Sequence, residues 1–239
     1  MKLLLFDLDG TLVKSTLKIE RNMLDRLYKL KENYKICLVS GGTYEKMLNQ
    51  INKENECLFD YIFSESGVIT YKNKELIHTN NIKNVLTEYL LQEIINFVLI
   101  YIANLDLPYK RGNFINFRKG SLYISPIGGD CSMEERTFFS EFDKINKIRE
   151  KMVKILKKNF ESYNIDIMIG GQIGLVIHPK GWDKTYVFKI INIEEYDEIF
   201  FFGDRCEPNG NDYPLYSHPK IKGYHVKDEN HTLSLLESF

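Results

Sequence analysis

At 239 residues, 44% of them apolar and 27% charged, the chain is long enough for a sizeable core with a second unit inserted in it. The net charge of −1 sets up no global field toward nucleic acid or an anionic membrane surface, so a phosphorylated ligand must be held by local positive groups. Cys37, Cys57, Cys131 and Cys206 form no CxxC pair and no His/Cys cluster, which argues against zinc and a disulfide framework and for reduced thiols. The apolar run at Leu3–Phe6 is too short for a signal peptide, and Phe97–Ile102 is far below a membrane span. A soluble, cytoplasmic chain is expected.

In chain order, Leu3–Phe6 reads as a buried parallel strand that opens into an acidic loop at its C-terminal end. Met23, Leu27 and Leu30 follow at helical spacing, and Ile36–Val39 is a second buried strand ending at Ser40-Gly41-Gly42. Thr43 is placed to cap a helix containing Lys46–Ile51, and Tyr61–Phe63 is a third strand. This β-α-β-α-β rhythm predicts an α/β fold with sites at the strand C-terminal ends. The rhythm then changes. Long helices are expected over Asn84–Asn104 and Asp143–Phe160, with short strands at Phe114–Phe117, Leu122–Ser125, Asp166–Ile169 and Leu175–His178. Beyond Trp182 the first rhythm resumes, with strands at Glu198–Phe202 and Lys222–Val226. The expected organisation is a Rossmann-like parallel-sheet core, residues 1–80 and 185–239, interrupted by an α+β cap over 81–184.

The strongest chemical signal is Asp7-Leu8-Asp9-Gly10-Thr11, two carboxylates at i and i+2 just past an apolar strand. A phosphoryl group is attacked in line by an anionic oxygen whose charge a cation offsets, and Asp7 is the candidate nucleophile. Asp9 is placed to give a proton to the leaving oxygen and later to take one from the acceptor hydroxyl, while its backbone carbonyl faces the metal. Ser40 ends the second strand, where its hydroxyl can bond a phosphoryl oxygen. Lys184 is the candidate point charge for nucleophile and phosphoryl group. Asp204, with Asp212 further on, completes a carboxylate set for Mg2+, which prefers oxygen ligands. Each piece alone also reads as a polar turn or a solvated helix start. Together they occur in one chain order, each after a buried strand or at the opening of a helix. The remaining signals are bland: Met152, Val153, Ile155 and Leu156 as packing, the unclustered histidines as turn or surface residues, and Lys144–Arg149 and Lys157–Lys158 as solvated helix faces. No nucleic-acid motif accompanies the aromatic residues.

This order resembles the haloacid-dehalogenase superfamily of phosphotransferases. Phe6–Leu12, Phe59–Phe63, Lys110–Gly112, Phe117–Gly120, Ser125–Gly128, Glu134–Arg136, Ile169–Ile173, Gly181–Lys184 and Phe201–Asp204 together are similar to the eukaryotic-type phosphomannomutases from about residue 3 to 228. The resemblance implies exchange of phosphate between O6 and O1 of mannose through an aspartyl phosphate and a hexose bisphosphate, feeding GDP-mannose synthesis. It also implies a bisphosphate activator and a homodimer formed through the cap. Arginine forks suit the task of gripping whichever phosphate is not reacting. Arg118 and Arg136 are the arginines expected for it.

The chain departs from that family at other substrate positions. The family has Arg where this chain has Thr16 and Gly129, Ser at Gly174 and Asp at Val176; Asp130 adds a nearby negative charge. His218 replaces a carboxylate expected at a second ion site near Tyr216 and Ile221. Lys14 or Lys119 are the lysines available to replace lost positive charge. A charge-assisted hydrogen bond contributes roughly 1.5–3 kcal/mol, so several such losses weaken the hold on a sugar bisphosphate substantially. The expectation is a hexose-phosphate mutase with shifted specificity; a Mg2+-dependent sugar-phosphate phosphatase and a non-catalytic relative are the alternatives.

Overall fold

The computed structural model describes residues 1–239. The chain runs β1 (Lys2–Phe6), α1 (Arg21–Leu30), β2 (Tyr34–Val39), α2 (Tyr44–Ile51), β3 (Tyr61–Ser64), β4 (Ile69–Lys72) and β5 (Glu75–Thr79). It continues through α3 (Glu88–Ala103), β6 (Ile115–Phe117), β7 (Leu122–Ile124), α4 (Met133–Asn146), α5 (Ile148–Asn159), β8 (Ile165–Gly170) and β9 (Gly174–Pro179). It ends with β10 (Glu198–Gly203), α6 (Tyr213–Tyr216), β11 (Lys222–His225) and α7 (Glu229–Leu236). Two compact units result: Met1–Thr79 with Trp182–Phe239, and Asn80–Gly181. No helix is long and apolar enough to cross a membrane.

The first unit holds a seven-stranded sheet in the order β11-β10-β1-β2-β3-β4-β5. The strands from β11 to β3 run parallel, while β4 and β5 add antiparallel to the edge. β1 lies between β10 and β2 and is covered on both faces, which is why its sequence is an unbroken apolar run. Leu4 and Phe6 join a cluster with residues of α1, α2 and α7, whereas Leu3 and Leu5 face Val187 and Ile191 on the other side. The chain leaves β1 toward β2 on one side while β10 returns on the other, so β1 is the switch point at which open α/β sheets place ligands. Lys184 and Trp182 belong to this unit rather than to the inserted one. Trp182 packs with Val68 and Tyr186, and the Lys184 ammonium is held by acids of the core.

The second unit is a four-stranded antiparallel sheet, β6-β7-β9-β8. Leu122, Ile124, Leu175, Ile177 and Ile167 turn to one face, where they pack with residues of α3 and α5. The helix expected over Asp143–Phe160 is two helices. Lys147 adopts a left-handed conformation, φ 56°, and separates α4 from α5. A capping box, Ser132 with Glu135, starts α4 well before the expected point. Arg149, expected on a solvated face, is buried instead: its Nε pairs with Asp143 at 2.7 Å, and its Nη1 donates to the Gly171 carbonyl at 3.0 Å. The unexpected β4–β5 hairpin turns at Asn73-Lys74, both at positive φ. That is the signature of a type I′ turn, here without the glycine that advertises one.

Candidate active site

Asp7 follows β1 directly, and its N–H donates to the Phe202 carbonyl of β10 at 2.9 Å, so the adjacent strand fixes the start of the loop. Asp204 follows β10 in the same way. The two loops approach closely because residue 10 is glycine. Gly10 sits at φ 88°, and a Cβ there would lie 2.6 Å from Asp204 Oδ2. Ser40 leaves β2 at the same end of the sheet, two residues beyond Leu38, which pairs with Phe6. Its buried Oγ accepts from the Gly42 N–H at 3.1 Å.

Asp7, Asp204 and Asp212 each offer an oxygen within 4.8 Å of the other two. Lys184, fully buried, donates to both Asp7 and Asp212. The second oxygen of Asp212 accepts from the Arg205 N–H at 2.9 Å, and Arg205 Nε lies 3.2 Å from Asp204 Oδ2. One buried ammonium serves the buried Asp7 and Asp212, and only Arg205 faces the partly buried Asp204, so the three carboxylates leave excess negative charge. The donors are all hard oxygens, and Thr11 Oγ1 and Asn211 Oδ1, in the neighbouring turns, are buried without hydrogen-bond partners. This donor set fits a hard divalent cation with its waters.

The electrostatics follow from that imbalance. Burial is the main force pushing the Asp7 carboxyl up, to about 7, with Asp212 adding to it and Lys184 opposing it. Burial, with Asp212 and Asp7 adding to it and Arg205 and Lys184 opposing it, raises Asp204 well above the usual carboxylate range. Burial works against the Lys184 ammonium, but Asp212 and Asp7 outweigh it and raise its pKa, so it stays charged. An acid that is harder to ionise folded than unfolded keeps its proton in the native state only. The metal-free protein therefore loses stability as pH rises through the window from about 4 to about 7. Urea unfolding across that window is expected to show the loss in the native protein. Asp7→Asn should show less of it, and saturating divalent cation should suppress it.

The Asp9 carboxylate stands apart from this cluster, as its expected role in proton transfer requires. Its Oδ2 is paired with Lys46 Nζ at 2.5 Å, and its Oδ1 accepts from Gln50 Nε2 at 2.8 Å and from the Thr16 N–H at 2.7 Å. Burial would raise its pKa, but Lys46, Thr16 and Gln50 together hold it below the usual range. Lys46 and Gln50 stand four residues apart on one face of α2. Thr16 reaches Asp9 with its backbone in a left-handed conformation, φ 68°, which is uncommon for a β-branched residue.

The expected substrate residues Arg118 and Arg136 belong to the second unit. Arg136 Nη2 donates to the Gly129 carbonyl at 2.6 Å and its Nε to the Cys131 carbonyl at 3.4 Å, so part of its fork braces its own loop. Arg118 stacks on Tyr123, its Cζ 4.4 Å from the ring centroid. Lys14 is directed at Glu229, 3.7 Å away. His218 lies against the Phe188 ring, with centroids 4.7 Å apart.

Residues 23–239 match the sequence profile of eukaryotic phosphomannomutase. The chain belongs to the eukaryotic phosphomannomutase family. A phosphomannomutase of Dendrobium officinale is 43% identical over 230 residues, covering 96% of this chain and 90% of its own length. Phosphomannomutase 2 of Dictyostelium discoideum is 42% identical, covering 98% and 95%. Phosphomannomutase 1 of Mus musculus is 42% identical, covering 97% and 89%. Among solved structures, IMP-bound IMP-nucleotidase of Plasmodium falciparum superposes with a TM-score of 0.68 at 16% identity, covering all of this chain and 68% of that one. A sugar phosphatase of haloacid-dehalogenase subclass IIB superposes at 0.59 and 17% identity, covering 100% and 99%. These likenesses establish the fold, an α/β parallel-sheet core of the haloacid-dehalogenase type with a cap.

Lys46, Gln50, Arg205 and the Thr16 N–H are the site groups that sequence reasoning assigned no role. The sequence did show Lys46 and Gln50 on a helix opening after Ser40-Gly41-Gly42. Its i, i+4 pair of long polar side chains beside a strand end was the available signal.

Proposed function

We propose that the chain is a phosphomannomutase that interconverts mannose 6-phosphate and mannose 1-phosphate. The observation that carries this reading is the clustered set of Asp7, Lys184, Asp204 and Asp212 in a chain that matches the family over nearly its whole length. Phosphorylated Asp7 gives its phosphoryl group to the free hydroxyl of the hexose monophosphate as Asp9 draws the proton from that hydroxyl, which forms a hexose bisphosphate and frees the Asp7 carboxylate. After the bisphosphate reorients, an Asp7 oxygen attacks its other phosphorus, the ester bond to that sugar oxygen breaks, and the oxygen takes the proton from Asp9. Lys184 holds the Asp7 oxygens in line, and Ser40 and the adjacent backbone receive phosphoryl oxygens. Asp7, Asp204, Asp212 and the Asp9 carbonyl would hold Mg2+, which when bound would supply charge neutralisation for the phosphoryl oxygens. Arg118 and Arg136 grip the phosphate that is not reacting. A hexose bisphosphate primes Asp7, and the product feeds GDP-mannose synthesis in the cytoplasm. The outer face of α3, with Tyr89, Leu99 and Ile100 largely exposed, supports a homodimer formed through the second unit.

For Asp9 to act as an acid it must exchange its bond to Lys46 for a proton, so the Lys46–Asp9 pair belongs to the resting state. A second reading, sugar-phosphate phosphatase, is favoured by Gly129, Gly174 and Val176, which offer no polar side chain, and by the partial commitment of Arg136 to loop carbonyls. Incubation with mannose 1-phosphate, Mg2+ and a hexose bisphosphate separates the two. The mutase forms mannose 6-phosphate with little free phosphate. Free phosphate as the main product would establish the phosphatase instead.

A further inference from the structure

The face of the β6-β7-β9-β8 sheet turned away from α3 and α5 carries a row that the pairing fixes: Asn116 opposite Tyr123, Tyr123 opposite Val176, and Val176 opposite Met168. Arg118 lies two residues beyond Asn116, on the same face and diagonal to Tyr123 across the β6–β7 turn. That diagonal places its guanidinium on the ring face, 4.4 Å from the centroid. The same ring fills the space above residue 174. A Cβ built on Gly174 would lie 2.4 Å from Tyr123 Cζ and 2.7 Å from the Ile124 carbonyl, so the ring and the β7 backbone together exclude a side chain there. The turn that brings Gly174 under the ring is held from behind, since the buried Arg149 donates to the carbonyls of Gly171 at 3.0 Å and Gly174 at 3.4 Å.

We propose, resting on the sugar-phosphate reading above, that Tyr123 is a positioning and specificity-determining residue. Its ring fixes the Arg118 guanidinium for a phosphate and replaces side-chain recognition of the sugar hydroxyls by residues 174 and 176. A guanidinium stacked on an aromatic face keeps its N–H donors at the plane's edge, where a phosphate takes two of them. Tyr123, Val176 and Met168 then present an aromatic and apolar row to the sugar, with no carboxylate on it to distinguish one hydroxyl from its epimer. The sugar phosphate is recognised by its phosphate and only weakly by its hydroxyl pattern.

Calorimetric titration of the full-length Asp7→Asn protein with mannose 1-phosphate tests this without turnover. Tyr123→Phe, which keeps the stack, should bind within about twofold of the parent. Tyr123→Leu, which keeps bulk but no ring, should bind about tenfold more weakly, a loss on the order of one desolvated cation–π contact. Glucose 1-phosphate should bind within about fivefold of mannose 1-phosphate. In the active protein Tyr123→Leu should raise KM by a similar factor and change kcat by less than about threefold. Gly174→Ser should lower the melting temperature by itself, and by less when combined with Tyr123→Ala, which removes the ring but leaves the Ile124 carbonyl in place. Undiminished binding by Tyr123→Leu, or equal loss in Tyr123→Phe, would overturn the proposal, as would a parent protein that binds neither sugar phosphate. Tight binding with the expected variant pattern, but no mannose 6-phosphate formed, would remove the mutase reading and leave this inference standing.

Discussion

Replacing Asp7 by asparagine should lower kcat with mannose 1-phosphate about 10⁴-fold or more, because the variant lacks the anionic oxygen that attacks phosphorus. The loss should appear in kcat rather than KM, since Asp7 makes its decisive bond only as the phosphoryl group moves. The same variant should be more stable than the native protein without metal. It removes one of the two carboxylates that share the buried Lys184 ammonium, while the shape of the side chain is kept. Loss of activity together with gain of stability is the signature of a buried charge maintained for chemistry. Measuring kcat, KM and the urea midpoint of the two proteins at pH 7 checks both halves. A variant that retains activity removes Asp7 from the reaction under either enzymatic reading.

Lys184→Met should be the most disruptive single change at the site. The ammonium is fully buried and bonded to both Asp7 and Asp212, so methionine leaves two carboxylates facing each other with no counter-charge. Breaking one side of a buried ion pair costs on the order of 3–5 kcal/mol. The repelling acids can relieve part of that by binding protons or a cation. The metal-free variant is therefore expected to unfold at markedly lower denaturant than the native protein, with Mg2+ restoring more stability to the variant than it adds to the native chain. Activity should fall about 10³-fold even with the cation present, because Lys184 no longer fixes the Asp7 oxygens in line. Lys184→Arg should not rescue it, since a guanidinium fork does not fit a site closed around one nitrogen. Equal stabilisation of both proteins by Mg2+ would contradict this picture of the cluster.

The parts legible in the sequence are those written in local chemistry. Leu3–Phe6 announced a strand covered on both faces, and the acids at 7, 204 and 212 were findable because each ends a buried strand or opens a helix. Lys184 was legible as a cation, but its assignment to the core was not, because what holds it is a pair of acids remote in the chain. The same applies to Arg149. Its sequence context is a run of charges on a helix, and only the fold brings Asp143 and the Gly171 carbonyl to it. Asp9 was legible from its spacing beyond Asp7, but the groups that hold its carboxylate were not, because α2 delivers Lys46 and Gln50 to it from more than thirty-five residues away in the chain. The break at Lys147 and the turn at Asn73-Lys74 both rest on non-glycine residues in left-handed conformations, which sequence pattern does not mark.

A covalent trap reads the central step most directly. The protein is mixed with Mg2+ and a hexose bisphosphate, quenched within milliseconds, and the acyl phosphate is reduced with borohydride before peptide mass analysis. Homoserine is expected at position 7, with aspartate intact at position 9 and no label in the Asp7→Asn protein. Reduction at another acid, or none at all while mannose 6-phosphate is being formed, would contradict the account.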